Sequence, residues 1–361
     1  MTGPGGPGEP VTGPGLRHHG DADVGPGLLD FAVNVRSSVP PPWLRERLVA
    51  AIDRLGPYPT AADDLRARAA VAHRHGRRPE EVLVLAGSTE AFTLLASLRP
   101  RRPVVVHPGF TEAEAALTAA GLPVTRVVTR ESDGHRFDAA SVPDDADLVV
   151  VGNPTNPTGV LHPAAQLTRL LRPERVVLVD EAFADAIPRE PDSLAGCRHG
   201  GLLVLRSLTK TWALAGLRAG YVLGSPDLLA RLAAARPHWP VGTLVLEAVA
   251  ACSHPDAVAE ARRDAVRLAF DRCMQVAALR RVPDVHVLPG RAPFVLLRLP
   301  PGTGARVREG LRSAGVAVRR CDSFPGLGPD HLRVAVRPAA QVAVLVAALD
   351  GLLAAARADA R

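Results

Sequence analysis

In the stretch RSLTKTWALAGLRAGY, residues 206–221, Lys210 is the one lysine among the 43 Lys and Arg residues of a 361-residue chain. Arginine replaces lysine at little cost wherever a cation only solvates a face or pairs with a carboxylate. The two part company where an amine must lose its proton and attack carbon, because guanidinium stays protonated. Lys210 is therefore a candidate covalent site. Chance survival on a solvated helix explains the same residue, so its neighbours must decide.

A lysine that forms an imine points to pyridoxal phosphate. That group needs an acid at its ring nitrogen, a phosphate cup and a flat stacking surface. Asp180, ending the run RVVLVD, can pair the pyridine nitrogen, or can cap a following helix. Gly87, Ser88 and Thr89 open a helix after a strand and can offer N–H groups to phosphate, or can be an ordinary cap. Ser207 and Arg218 can add a hydroxyl and a guanidinium to that phosphate. Phe110, in HPGFTEAE, can stack on the ring or sit in the core. Asn156, in NPTNPTG, can donate to the ring oxygen or simply make an Asn-Pro turn.

The elements that must position these groups are legible. Apolar runs at 82–86, 104–107, 124–129, 147–152, 175–180, 202–206 and 219–224 read as strands buried on both faces and alternate with helices. This is an α/β domain with a mostly parallel sheet, and its ligand belongs at the strands' carboxyl ends. Thr111 with Glu114 reads as a capping box. Leu44, Leu48, Ile52 and Leu55 give a helix stopped by Gly56. After residue 225 a long helix covers about 243–280. Strands at 294–299, 316–320 and 332–337 follow, with helices at 303–314 and 338–357, as in a smaller α+β domain. The expected organisation is a flexible arm at 1–27, a segment at 28–55 packing with the small domain, a large cofactor-binding domain at 56–240 and the small domain at 241–361. GPGGPG in the arm matches GxGxxG formally, but no strand precedes it and no helix follows.

Composition narrows the classes. Hydrophobic residues make up 47% of the chain, ample for a core. No run of about 18 apolar residues marks a membrane span, and the N-terminus lacks a signal peptide's basic and apolar regions. A cytoplasmic location is the expectation. The four cysteines show no CxxC or metal spacing, so no metal site is expected. The net charge of +6 is spread along the chain with 4% aromatics. No basic-aromatic stripe appears, which argues against nucleic acid, and the Gly/Pro-rich arm is too short for a DNA-binding regulator's domain.

The ordered set GSTE, PGF, NPTNPTG, VDEAF and SLTKTWALAGLRAGY resembles the fold-type I pyridoxal-phosphate enzymes of the class I/II aminotransferase superfamily, over nearly the whole chain after residue 28. It looks like the branch holding histidinol-phosphate aminotransferase and the threonine-phosphate decarboxylase of cobalamin synthesis. The resemblance implies pyridoxal 5'-phosphate on Lys210. GPYPTAADDLR (56–66) is similar to the branch's Tyr-Pro segment, which implies that Tyr58 reaches the partner subunit's cofactor phosphate in a homodimer with shared sites. HHG (18–20), the segment holding Asn34 and Arg36, SLTK and HLRVAVRP resemble the decarboxylase. That implies Arg333 for the substrate carboxylate and Arg337 for its phosphate, with Asn34 and Arg36 near the mouth. Arg333 and Arg337 lie an even number apart on a strand and should face one side, which suits a small anionic amino-acid substrate. Two departures stand out: Phe183 where many aminotransferases have tyrosine, and Arg36 where the decarboxylase pattern has asparagine followed by proline. The expected reaction is decarboxylation of L-threonine O-3-phosphate to (R)-1-amino-2-propanol O-2-phosphate. The alternative is an aminotransferase of the histidinol-phosphate type.

Overall fold

The structure is a computed structural model that describes residues 15–359. In chain order the strands are β1 (Leu29–Asp30), β2 (Val82–Leu85), β3 (Pro103–His107), β4 (Thr125–Val128), β5 (Leu148–Gly152), β6 (Val176–Asp180), β7 (Leu202–Ser207), β8 (Gly220–Leu223), β9 (His286–Val287), β10 (Phe294–Arg298), β11 (Val316–Ala317), β12 (Arg319–Arg320) and β13 (His331–Ala335). The helices are α1 (Pro42–Ile52), α2 (Ala61–His75), α3 (Thr89–Leu95), α4 (Glu112–Ala119), α5 (Ala164–Thr168), α6 (Pro226–Ala233), α7 (Thr243–Cys252), α8 (Pro255–Leu279), α9 (Gly304–Ser313) and α10 (Ala339–Asp359).

The large sheet runs β2-β8-β7-β6-β5-β3-β4. Among the described strands of this sheet, β8 alone runs against the others. Apolar residues on successive positions serve opposite faces, because strand side chains alternate. Val177, Val179 and Val204 join a core with residues of α2 and α7, such as Val71 and Val249. Leu178, Leu203 and Leu205 join another with Leu95, Leu117 and Leu229 of α3, α4 and α6. Each such fully buried side chain contributes roughly 1.5–3 kcal/mol. The register sets Asp180 of β6 against Leu205 of β7, so the two central strands end side by side.

The second unit is the antiparallel sheet β12-β13-β10-β9 together with the parallel pair β1–β11. Val295, Leu297, Leu332 and Val334 pack there against Leu311, Leu345 and Leu349 of α9 and α10. Over Ala339–Ala358 α10 has a mean hydropathy of 1.9 and is long and apolar enough to cross a membrane by length and composition. Its Val342, Leu345, Leu349 and Leu353 edge is instead buried in this core.

Several expectations need correcting. The 243–280 helix is two, because His254 precedes Pro255 and is extended (φ −62°, ψ 144°). Leu246, Val249 and Cys252 of α7 lie in the large-sheet core together with Leu44 of α1. From the 28–55 segment, β1 pairs with β11 in a two-stranded sheet separate from the four-stranded one. Residues 316–320 form two short strands broken at Val318. Thr111 and Glu114 make no capping box. The Thr111 hydroxyl donates to Leu16 O, and Glu114 accepts from Arg126 and meets His107. The described part of the 1–27 arm is held in place, with Arg312 and Arg319 donating to the carbonyls of Asp23 and His18. GPGGPG lies outside the described residues.

Candidate active site

A cavity of about 540 Å³ opens where the large sheet's carboxyl ends meet the small unit, and Lys210 and Asp180 both line it. Asp180 is carried there by β6, and its Oδ1 accepts from Ala182 N at 3.0 Å. Burial pushes its carboxyl up to about 6, with Glu181 adding to the rise and Lys210 opposing it. Lys210 follows β7. Burial pulls its amine down to about 8, aided by Arg333 and Arg218 and opposed by Asp180. The pair is thus a carboxylate that gains from a nearby cation and an amine partly unprotonated near neutrality.

The groups expected to cup a phosphate meet on one side of the cavity. Ser88, Thr89, Ser207 and Arg218 line it, and Arg218 Nη2 lies 3.4 Å from Thr89 Oγ1. Gly87 has φ +90°, and a Cβ there would sit 2.7 Å from Arg218 Nη2. The positive φ is what favours glycine at that point, since the guanidinium is the movable end of a flexible side chain. Phe110 lines the cavity with its ring 5.5 Å from His19. Asn156 is also in the wall, its Oδ1 accepting from Arg333 Nη1 at 2.5 Å. Amine, acid, hydroxyls, guanidinium and aromatic ring surround one space, and this donor set fits pyridoxal phosphate.

The small unit supplies the opposite wall. Arg333, on β13, is buried, stands over the Phe294 ring and donates to Ala32 O. Its Nε is buried without a hydrogen-bond partner, and among the described residues Arg333 has no carboxylate in ion-pair reach. Burial pulls its charge down and Arg319 adds to that, which a bound anion would relieve. Phe183 packs edge-on against Phe294 with centroids 5.1 Å apart, which makes this part of the wall apolar. Asn34 lines the cavity and its Oδ1 is a buried acceptor without a partner.

Two residues lie elsewhere than expected, and a third faces away from its own chain's cavity. Arg337 falls beyond the end of β13, and its guanidinium donates to the carbonyls of Asp30, Val33 and Val35; it borders a small annex that Lys210 also lines rather than the main cavity. The even spacing does not bring it beside Arg333, because the strand has stopped before Val336 and the guanidinium is captured by the passing backbone. Arg36 pairs with Asp264 of α8 at 2.5 Å and reaches only a small annex behind Lys210. Tyr58 is 70% exposed, stacked on Trp239 at 4.2 Å, and does not line its own chain's cavity.

Sequence reading assigned no role to Arg319 or to His19 individually, and the cavity includes both. Arg319 is held by Ser323 Oγ at 2.7 Å, by His18 O and by Asp23. The available signal was an arginine pairing register: β12 lies antiparallel to β13 with Arg319 directly opposite Arg333. His19 meets Glu112 at 2.6 Å and closes the top of the space. Gly20 passes so near Ala32 that a Cβ would lie 2.7 Å from its oxygen.

Residues 27–349 match the family described as aminotransferase class I and II. The chain is 56% identical over 333 residues to a histidinol-phosphate aminotransferase of Mycobacterium tuberculosis, covering 92% of this chain and 90% of that one. It is 34% identical over 336 residues to a threonine-phosphate decarboxylase of Salmonella typhimurium, covering 90% and 91%. The crystal structure of a histidinol-phosphate aminotransferase from Clostridium acetobutylicum superposes with a TM-score of 0.83 at 23% identity, covering 90% of this chain and 99% of that one, and shares the fold.

Proposed function

The chain belongs to the class I and II aminotransferase family and is a pyridoxal-phosphate-dependent enzyme of the fold-type I architecture; on that premise we propose that it transfers the amino group of a phosphorylated amine, of the histidinol-phosphate type, to a 2-oxoacid. The observation that carries this reading is the arginine pair Arg319 and Arg333 facing the cavity that holds Lys210. Two guanidiniums on one wall suit a phosphate dianion or the carboxylates of a dicarboxylic amino acid. The strong likeness to the mycobacterial relative supports transfer over loss of CO2.

When bound, pyridoxal phosphate supplies an aldehyde for covalent attachment and a ring that accepts the electron pair left when a bond at the amine-bearing carbon breaks. Lys210 Nζ, pulled down to about 8, takes a proton from that substrate carbon and would deliver it to the carbon on the far side of the shared nitrogen, the shift that amine transfer requires. Asp180 holds a cation against its carboxylate at the base of the cavity. Arg333 orients the substrate's acidic group, and Asn156 fixes the guanidinium that does so. His19 and Gly20 shield the space from water.

A second reading, decarboxylation of L-threonine O-3-phosphate, is favoured by one feature: Phe183 and Phe294 make an apolar wall, which suits departure of uncharged CO2. The test supplies purified enzyme with histidinol phosphate and 2-oxoglutarate, and separately with threonine phosphate. Glutamate formed only in the first mixture supports transfer. CO2 from the second mixture, with no 2-oxoacid needed, replaces it with the decarboxylase reading. Lys210→Ala should be silent in both, and borohydride should fix the cofactor to the single lysine-containing peptide.

We also propose that the enzyme is a homodimer in which Tyr58 reaches the partner's cofactor phosphate. The exposed Tyr58–Trp239 stack supports this, since so large an aromatic surface is unusual on a face open to water.

A further inference from the structure

The turn at 30–36 touches three functional groups at once. Ala32 O accepts from Arg333 Nη2. Asn34 enters the cavity wall. Arg36 N donates to Lys210 O at 3.1 Å. The chain is tightly wound here: Asp30 Oδ1 accepts from Ala32 N at 2.8 Å and Val33 N at 2.9 Å. Its carbonyls point outward and converge on one side chain. Arg337 Nε donates to Asp30 O at 2.7 Å, Nη2 to Val33 O at 2.6 Å and Nη1 to Val35 O at 3.2 Å. A further contact from Nη1 reaches Val336 O at 3.3 Å. Arg337 N itself donates to Gln275 Oε1 at 3.0 Å, which ties the residue's backbone to α8.

We propose that Arg337 is a positioning residue: its guanidinium winds residues 30–36 into the shape that aligns Arg333 and the Lys210 backbone together. The fork is suited to this. Three carbonyls in a curved row match three of guanidinium's rigidly splayed nitrogens, and a lysine ammonium cannot reproduce that pattern. All three nitrogens are engaged by backbone carbonyls, and the group borders only the small annex it shares with Asn34, Arg36 and Lys210, not the main cavity. The role follows from the fold and the cofactor-bearing lysine, and the choice between amine transfer and decarboxylation affects only which assay is run.

The test compares wild type with Arg337→Met, Arg337→Lys and Asp30→Ala. Hydrogen exchange of the cofactor-free protein should show faster exchange at the amides of residues 32–36 in all three, with the central strands β6 and β7 unchanged. In kinetics both substrates of the enzyme, phosphorylated and unphosphorylated, should lose kcat/KM to a similar degree, about 10- to 100-fold, because Arg333 and Lys210 serve both. The pH midpoint of the loaded enzyme's visible absorbance should shift. Asp30→Ala leaves Arg337 in place and should give the same pattern more weakly. Loss confined to the phosphorylated substrate, with exchange at 32–36 unaltered and Asp30→Ala silent, overturns the proposal and makes Arg337 a phosphate ligand. If Arg337→Met does not fold, the same comparison stands on Arg337→Lys and Asp30→Ala. If neither reaction is catalysed by wild type, the exchange pattern alone decides.

Discussion

Arg319 and Arg333 stand directly opposite each other across the β12–β13 ladder, two guanidiniums on one face of an antiparallel pair. Like charges in that position are destabilising. Arg319 is partly compensated by Asp23 Oδ2 at 3.4 Å, while Arg333 has only neutral partners. An anion between them turns repulsion into attraction. Inorganic phosphate should therefore raise the Tm of the cofactor-free protein, and Arg333→Lys should reduce that rise. The same variant loses a forked grip, about 2 kcal/mol, so its kcat/KM should fall roughly 30-fold through KM. An unchanged KM would remove Arg333 from substrate binding.

Asp180 is a stability defect in the absence of a cation. Its folded pKa is about 6 against an ordinary 3.8, so burial is the dominant cause of a rise. Between those values the folded state binds more protons than the unfolded one, and stability falls as pH rises through the window. Asp180→Asn should then stabilise the cofactor-free protein at pH 7.5, on the order of 2 kcal/mol. The gain should shrink as pH falls through this window and vanish below about pH 3, where the wild-type carboxyl is protonated in both states. The same variant should bind pyridoxal phosphate more weakly and lose most activity. Calorimetry at the two pH values checks the sign, and a variant less stable at pH 7.5 would contradict it.

Most of the large sheet was legible because its strands are buried on both faces and read as unbroken apolar runs. Their ends then place Asp180, Ser207 and Lys210 together without tertiary information. What the sequence hid depends on long-range capture of side chains. Arg337 shares spacing with Arg333, yet backbone from residue 30 onward claims its donors. Thr111 and Glu114 have capping-box spacing, but Leu16 and Arg126 compete successfully for them. Glycine and proline content at 15–27 suggests a loose arm, while Arg312 and Arg319, some 290 residues away in sequence, hold it down. The break before Pro255 had a visible signal in the proline itself.

Beneath the site lies a buried charge network whose loss should be severe. Arg206 is 1% exposed and pairs with Glu181 at 3.0 Å, with Glu190 at 2.7 Å and with Asp185. Arg74 shares Asp185 at 2.7 Å. Arg206→Met removes one cation and leaves Glu181 buried without an ion pair, which should cost about 3–5 kcal/mol. Arg206→Lys retains the charge and should cost less. Urea unfolding at constant pH measures both. A change under about 1 kcal/mol for Arg206→Met would show that the network relaxes or takes in water.

The placement of Tyr58 makes a prediction that also tests assembly. Its ring stacks on Trp239, outside the cavity that holds Lys210 of the same chain. The loop and α2 are braced by one carboxylate of α7, since Arg54 and Arg66 both reach Glu247 Oε2, at 2.8 and 2.9 Å. The loop between α1 and α2 is therefore held in a fixed, outward-facing pose. If Tyr58 serves a partner's site, Lys210→Ala and Tyr58→Ala chains should each be impaired alone and regain activity when refolded together. A mixed dimer then has one site with Lys210 from one chain and Tyr58 from the other, both intact. Service within the same chain predicts no recovery, because every site would lack one of the two residues. Size-exclusion chromatography of the same mixtures shows whether dimers form, so absence of recovery in a proven dimer would dispose of the shared site while leaving the dimer in place.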